Sequence, residues 1–199
     1  MLNLMDIQTV RRELPKLNPK LEKELCEREL KYPDIFGGSA PPSPGQRLEN
    51  GLRDHLPREG RNGHWEGERG ESTWYPPKEN IPGKSNPENQ TWEEILAKCR
   101  IEGIQFENGE PNFKCVCREE VTIEGFSTSR ADNFDKADMA AAEKRGCTPE
   151  EVAKWRKEHG YTWHEMKDMQ TMQKVPSNLH NNIPHSGGIS NANAKEIEK

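Results

Sequence analysis

The feature that most constrains this chain is a long stretch in which proline and glycine are unusually frequent. Nine prolines and nine glycines fall within the 56 positions of residues 33–88. Such a stretch buries too little apolar surface to offset the ordering of its backbone. We therefore predict a Pro/Gly-rich linker over residues 33–63. We expect the following residues, where tryptophan and tyrosine return, to lie as extended chain against a folded domain.

The sequence on either side of this stretch predicts two further segments. Residues 1–32 carry a narrow stripe of leucines surrounded by charge, which predicts a charged N-terminal helix that is not stable alone. Residues 64–199 form the predicted folded domain. Its helical and strand signals predict an α+β fold in which mostly helical segments surround a small catalytic element near the C-terminal end.

Capping patterns give the clearest element boundaries in this domain. Thr91 with Glu94 and Thr148 with Glu151 have the spacing of capping boxes, and each precedes a predicted helix. The other predicted elements are a short strand over 121–126, a small helix over 136–145 that ends at Gly146, and a helix after Thr148 that stops at Gly160.

Composition excludes several classes of protein. No run approaches the ~20 apolar residues that cross a bilayer, so we expect no membrane span. The N-terminal residues include Asp6 and lack a long apolar run, so they do not resemble a signal peptide. The net charge of −5 does not fit a general nucleic-acid coat, so any contact with DNA or RNA must be local. Cys115 and Cys117 are too close in sequence for the usual zinc spacing.

Three histidines within residues 161–190 carry the chemistry that we predict for this chain. YTWHEM (161–166) and MQKV (172–175) predict two strands joined by a turn, and a short helix is expected after Pro176. Alternation along the first strand places His164 on the face opposite Trp163. Trp163 is therefore expected in the core, and His164 in a cleft.

The remaining two histidines follow on the predicted helix and beyond it. His180 and His185 would point about 140° apart on a continuous helix. Pro184 interrupts that helix, so His185 can turn back towards His180. Two imidazoles suit a divalent transition metal, and His164 facing them can act as a base.

The ordered set YTWHEM…MQKVPSNLHNNIPHSGG resembles the HNH/endonuclease VII nuclease superfamily, in particular the WHH branch of bacterial polymorphic and contact-dependent toxins. The resemblance covers about 30 residues, and GERGESTWYP (67–76) resembles the entry segment of such domains less specifically. It implies a His-Me finger (ββα-metal) element that hydrolyses phosphodiester bonds, with DNA as the expected substrate. It also implies one divalent ion (Zn, Ni, Mn or Mg), a cognate immunity protein, and delivery from the producer's cytoplasm into target cells.

Carried over by position, the resemblance assigns roles to individual residues. His164 is the expected general base, and His180 and His185 are the expected metal ligands. Many relatives have a second histidine where this chain has Glu165, so a second assignment stays open in which His164 is a ligand and Glu165 accepts the proton. The asparagine of the HNH motif is not evident, although Gln173 or Asn178 could replace it.

Two cations are candidates for phosphate contact, Arg130 and Lys174, although a solvent-exposed cation without such a role is the commoner explanation for either. Residues 161–190 are neutral overall, so phosphate binding would rest on the metal and on backbone groups. This neutrality and the glutamate at position 165 motivate a second hypothesis, a catalytically degenerate or non-catalytic domain that keeps the fold and binds a partner. A phage or housekeeping HNH endonuclease is a third reading, for which we see no DNA-recognition module.

Overall fold

The computed structural model describes residues 55–197, which belong to one structural unit. This part of the chain contains seven strands and five helices. The strands are β1 (His64–Trp65), β2 (Thr73–Tyr75), β3 (Ile104–Glu107), β4 (Glu110–Pro111), β5 (Glu119–Thr122), β6 (Tyr161–Glu165) and β7 (Thr171–Pro176). The helices are α1 (Trp92–Cys99), α2 (Arg130–Arg145), α3 (Pro149–Glu158), α4 (Ser177–His180) and α5 (Gly188–Ile197).

The strands form two small antiparallel sheets. The first has the order β1-β2-β3-β4, and the second has the order β5-β7-β6. Antiparallel strands with helices gathered beside them are compatible with the predicted α+β class. The order β6, β7, α4 also reproduces the predicted strand, turn, strand and short helix.

The two sheets were only partly expected from the sequence. The stretch predicted as extended chain supplies β1 and β2, which join β3 and β4. β3 and β4 are connected by Asn108 and Gly109, whose φ angles are 52° and 69°. Two positive φ angles at an Asn-Gly pair are typical of the tight turn that matches the twist of a hairpin.

Strand β7 separates two apolar clusters. Met172 packs with Trp163 and with residues of β5, α2 and α3 in one cluster. Val175 belongs to the other cluster, which contains three tryptophans and two phenylalanines near the first sheet and α1. Side chains three positions apart on a strand point to opposite faces. The β5-β7-β6 sheet is therefore buried on both faces, and both of its faces help to position the site.

Helix α2 is longer than the sequence predicts. Its N-cap is Ser129, whose side chain accepts a hydrogen bond from the backbone NH of Asp132, so the helix begins at Arg130 and not near residue 136. The sequence did not predict this extra turn because the buried, polar Asn133 interrupts the apolar period there. Asn133 donates a hydrogen bond to Glu165 of β6.

The other helix boundaries follow the sequence closely. Both predicted capping boxes are present, at Thr91 and at Thr148. Gly146 adopts the left-handed conformation expected of a residue that ends a helix. The strand predicted over 121–126 starts earlier, at Glu119, and ends at Thr122.

The predicted N-terminal helix and most of the predicted linker lie outside the described residues. The last part of that linker, residues 55–63, packs on the fold. Leu56 is buried in the cluster with Trp65, and Arg69 donates hydrogen bonds to the carbonyl oxygens of Leu56 and Pro57. The folded region therefore includes residues that precede the predicted boundary at residue 64.

None of the helices among residues 55–197 has the length and hydropathy that a bilayer span requires.

A buried ion pair connects the helices to strand β6. Arg156 of α3 donates two hydrogen bonds to the carboxylate of Asp138 on α2, at 3.1 and 2.7 Å, and both residues are buried. The indole NH of Trp163 donates to the same carboxylate at 2.8 Å. Asp138 thus satisfies two buried donors at once and fixes the tryptophan that precedes His164.

Replacing Asp138 with alanine should lower the free energy of unfolding by about 3–5 kcal/mol, because Arg156 and Trp163 would then be buried without an acceptor. Urea denaturation followed by circular dichroism measures this. The control is Glu158→Ala, which removes an exposed ion pair with Lys154 and should cost at most ~1 kcal/mol. Equal effects of the two substitutions would contradict the role assigned to Asp138.

Candidate metal centre

Three histidines meet in a cleft next to the β6–β7 hairpin. His164 lies in β6, His180 is the last residue of α4, and His185 follows in the loop before α5. One nitrogen from each ring lies within 4.8 Å of the others. The break in the chain before His185 therefore has the predicted effect, since it returns this ring to the neighbourhood of the other two.

Hydrogen bonds fix how His180 and His185 present their nitrogens. Nδ1 of His180 lies 3.0 Å from the side-chain oxygen of Asn181, and Nδ1 of His185 lies 2.8 Å from the carbonyl oxygen of Ile183. Both partners are acceptors, so each Nδ1 carries the hydrogen. In the neutral rings, Nε2 then keeps a lone pair that can bind a cation.

His164 is oriented differently because it is buried between two groups. Its Nδ1 lies 3.1 Å from Nε2 of His180. Its Nε2 is buried without a hydrogen bond, and the nearest carboxylate oxygen, from Glu110, is 3.6 Å away. Neither nitrogen of His164 is therefore free to meet a water molecule in the open part of the cleft.

The environment keeps two of these rings neutral. Burial, followed by the nearby His164, lowers the pKa of His180 from 6.5 to about 3. Burial, followed by the other two histidines, also lowers the pKa of His185 well below its usual value. The ring of Phe113 contacts all three imidazoles, with centroids 5.0, 5.6 and 6.2 Å away, and contributes to this apolar setting.

The donor set fits a divalent transition metal. Neutral imidazoles are the usual ligands of Zn²⁺, Ni²⁺ and related ions, and two of the three rings are held by hydrogen bonds of the kind found around metal-bound histidines. Coordination through Nδ1 of His164 would leave the hydrogen on Nε2, which faces Glu110. The NH group at Nε2 of His164, which is buried without a hydrogen-bond partner, would then face the carboxylate of Glu110.

Glu165 also reaches the cleft, although alternation turns it to the other face of β6. Its carboxylate is almost fully buried and accepts hydrogen bonds from Asn133 at 2.9 Å and from Arg130 at 3.1 Å. Both residues lie on α2, in the turn of the helix that the sequence did not predict. β6 ends at Glu165, and both His164 and Glu165 line the cleft, so side chains from both faces of the strand reach it here.

Arg130 lies at the rim of this cleft. Its side chain is 65% exposed, and its Nε donates to Glu165. The cleft has a volume of about 590 Å³. Arg130 is thus placed where a phosphate could contact its guanidinium, beside the three histidines.

Lys174 does not have the exposed position that a phosphate contact requires. Its side chain is fully buried, its ammonium lies 2.6 Å from a carboxylate oxygen of Glu119, and it lies over the ring of Trp163. Burial lowers the pKa of Lys174, and Glu119 partly opposes this effect. Lys174 alternates with Gln173 on β7, so it lies on the face of the sheet that carries Met172 and Trp163. The predicted contact with phosphate therefore has no geometric support at this position.

The two glycines after His185 are needed for close packing against β6. A Cβ atom on Gly187 would lie 2.7 Å from the carbonyl oxygen of Glu165, and one on Gly188 would lie 2.6 Å from that of Met166. Both contacts are with backbone, which cannot move aside easily. The glycine pair thus lets the chain after His185 pass directly beside the strand that carries the site.

Several residues of the site were not identified from the sequence. Asn133, Glu110 and Phe113 touch the predicted residues, but each is far from them along the chain. Single polar or aromatic residues of this kind carry no local pattern. Gln173 pairs with Glu120, and Asn178 pairs with Gln90, so neither replaces the asparagine of the HNH motif at the cleft.

Replacing Gly187 with alanine should destabilise the protein by about 1–3 kcal/mol and weaken metal binding, because the added methyl group meets the backbone of β6. Thermal unfolding and metal titration measure the two effects. Gly83→Ala is the matched control, since a Cβ atom there meets nothing within 4 Å. A Gly187→Ala variant as stable as Gly83→Ala would contradict the close approach.

The buried histidines also predict how stability depends on pH without metal. Their pKa values are about 6.5 when unfolded and lower when folded, so below pH 6.5 the unfolded chain binds more protons. Metal-free protein should therefore lose stability as the pH falls from 6.5 towards 3, by roughly 1 kcal/mol per pH unit for each histidine. Urea denaturation of the wild type and of a His180→Gln/His185→Gln variant measures this. Equal pH dependence in both proteins would contradict the effect.

Residues 103–187 match the family model described as the DNase/tRNase domain of colicin-like bacteriocins. The match begins just before β3 and ends at the first glycine of the pair, so it includes the three histidines, Glu165 and Arg130. No curated protein gives a significant match to the chain. The family match supports a nuclease toxin domain of the bacteriocin type over these residues, and hence a hydrolase that acts on nucleic acid.

Proposed function

We propose that this domain is a metal-dependent endonuclease that hydrolyses phosphodiester bonds, with DNA as its substrate, and that it acts as a bacterial toxin. The observation that carries the proposal is the group of three imidazole nitrogens within 4.8 Å of one another, inside the stretch that matches a nuclease family. We assign one divalent ion to this group, held by His164, His180 and His185.

A divalent ion bound by these histidines would supply Lewis-acid chemistry for phosphodiester hydrolysis. The protein's own part is to hold three imidazoles close to one point and to leave the cleft beside them open. Burial of His180 and His185 keeps their lone pairs available near neutral pH, because protonation of either ring is disfavoured.

Of the two assignments left open by the sequence, we favour Glu165 as the proton acceptor and His164 as a ligand. Both nitrogens of His164 face protein groups, namely His180 and Glu110. Glu165 lines the cleft, and each of its oxygens can accept one more hydrogen bond besides those from Asn133 and Arg130. These two donors fix the carboxylate in a single orientation beside the histidines.

Arg130 has two roles in this scheme. Its Nε holds Glu165, while the exposed remainder of the guanidinium can contact a phosphate oxygen of the substrate. An arginine fork suits both tasks, because it has five NH donors in a fixed plane.

The order of the elements supports a more specific assignment of this domain within the nucleases. The hairpin β6–β7 followed by α4 carries the ligands in the order expected of a His-Me finger, and we place the domain in the WHH branch of the HNH/endonuclease VII superfamily. A toxin of this class requires an immunity protein in the producing cell and delivery into a target cell, and we include both in the proposal.

A partner-binding domain without catalysis is the second candidate. It is favoured by the replacement of the second histidine by Glu165, whose carboxylate is already bonded to two donors. In that case the domain would bind metal and a partner but would not cleave nucleic acid, and its expression would be harmless without an immunity protein.

The test compares three variants of the purified protein in plasmid cleavage and in metal titration. His180→Ala should lose both metal binding and cleavage, because a ligand is missing. Glu165→Gln should keep metal binding and cleave about 10²–10⁴-fold more slowly, as expected for loss of a general base. His159→Ala is the histidine control, since this exposed ring stacks on Trp155 outside the cleft, and it should behave like the wild type.

The outcomes separate the candidates. A wild type that binds metal and cleaves neither DNA nor RNA would favour the partner-binding domain. Undiminished cleavage by Glu165→Gln would remove Glu165 as the base. Cleavage that survives a chelator would contradict the metal-dependent mechanism itself.

A further inference from the structure

A loop outside the family match also lines the histidine cleft. Residues 82–90, here called the cleft loop, precede α1, and its members Lys84 and Ser85 line the cleft together with Arg130 and the three histidines. The family match begins at residue 103. The match therefore assigns no role to the cleft loop, although this loop lines the same cleft as the histidines.

The cleft loop is built around a buried asparagine. The side-chain NH₂ of Asn86 donates to the carbonyl oxygens of Pro82 at 2.9 Å and Gln90 at 2.8 Å, and its oxygen accepts from the backbone NH of Gln90 at 3.0 Å. One amide thus closes the loop upon itself. A loop held in this way presents its tip in a defined position.

Two further asparagines attach the tip of the cleft loop to the residues just after α4. The side-chain oxygen of Asn182 accepts from the backbone NH of Lys84 at 2.9 Å, and its NH₂ donates to the carbonyl oxygen of Lys84 at 2.6 Å. This two-way contact holds the backbone of Lys84 from both sides. The side chain of Lys84 therefore extends from a backbone that is held in place at the rim of the cleft.

Asn181 links the cleft loop directly to a proposed metal ligand. Its NH₂ donates to the hydroxyl of Ser85 at 2.8 Å, and its oxygen accepts from Nδ1 of His180 at 3.0 Å. Ser85 has a φ of 51°, a left-handed conformation that is unfavourable for serine and persists where surrounding contacts impose it. The side-chain amide of Asn181 thus contacts both Ser85 of the cleft loop and His180, so the positions of these two residues depend on each other.

The charges in the cleft indicate what this arrangement can bind. Glu165 is the single carboxylate among the lining residues that the structure describes, and Arg130 pairs with it. Lys84 is an exposed residue and forms no ion pair within residues 55–197. A fixed backbone that carries an unpaired cation beside a metal centre suits a phosphate of the nucleic-acid backbone.

We propose that Lys84 is a second phosphate contact of the substrate, supplied by the cleft loop. This inference rests on the proposed nuclease function and extends it to a residue outside the family match. Arg130 and Lys84 come from separate elements, α2 and the cleft loop. Together they provide the local positive charge that residues 161–190 lack.

The experiment measures cleavage of a labelled double-stranded oligonucleotide by the full chain, with saturating metal, at several salt concentrations. Lys84→Ala should raise KM roughly tenfold, as expected for loss of a charge-assisted hydrogen bond. It should also reduce the slope of log affinity against log salt concentration by about 1. Lys84→Arg should restore most of both values, because it keeps the charge.

The matched control is Lys157→Ala, which removes one exposed charge on α3 outside the cleft. It should change neither KM nor the salt slope appreciably. Metal titration of Lys84→Ala should match the wild type, since only the side chain beyond the held backbone is removed.

The outcomes distinguish this inference from the proposed function. A wild type that cleaves, combined with a Lys84→Ala variant whose KM and salt slope equal those of Lys157→Ala, would overturn the role of Lys84 alone. A Lys84→Ala variant with weakened metal binding and an unchanged salt slope would also overturn it, because the loop would then act only through Asn181. A wild type that cleaves no nucleic acid would overturn the proposed function together with this inference.

Discussion

The site depends on how strand β6 distributes three consecutive side chains. Trp163 enters one apolar cluster, where its indole NH is bonded to the buried Asp138. Alternation then directs His164 to the opposite face of the strand, beside His180 and Phe113. Glu165, at the end of the strand, turns back towards α2. A register shift of one residue would exchange these faces, so the buried tryptophan determines which groups can meet in the cleft.

The electrostatics of the cleft differ from those of the chain as a whole. The net charge is −5, and the segment that carries the histidines is neutral. Folding nevertheless brings Arg130 and Lys84 to the rim of the cleft and leaves Glu165 as the one carboxylate lining it in residues 55–197. Lys174, which is close to the histidines in sequence, is instead buried against Glu119. Sequence distance was therefore a poor guide to which cations lie at the cleft.

Much of the hairpin and helix that carry the site could be predicted, because their signals are local. The capping boxes at Thr91 and Thr148 specify helix starts directly, and the proline before His185 explains why that ring can turn back. The Asn-Gly pair at residues 108–109 is also a local turn signal, although the elements predicted from the sequence did not include this hairpin. The start of α2 could not be read in the same way. Its buried Asn133 looks like a solvent-facing residue until its partner Glu165 on β6 is known.

By itself, the sequence determined the ordered histidines, the alternation that separates His164 from Trp163, and the glycine pair that follows them. These features depend on neighbours only a few residues apart, so local geometry is enough to specify them. Tertiary structure decided the rest. It fixed both nitrogens of His164 against protein groups, held Glu165 with two donors from α2, and attached the cleft loop to His180 through Asn181. Each of these contacts joins residues whose nearness is created by packing of separate elements, and no local pattern records such packing.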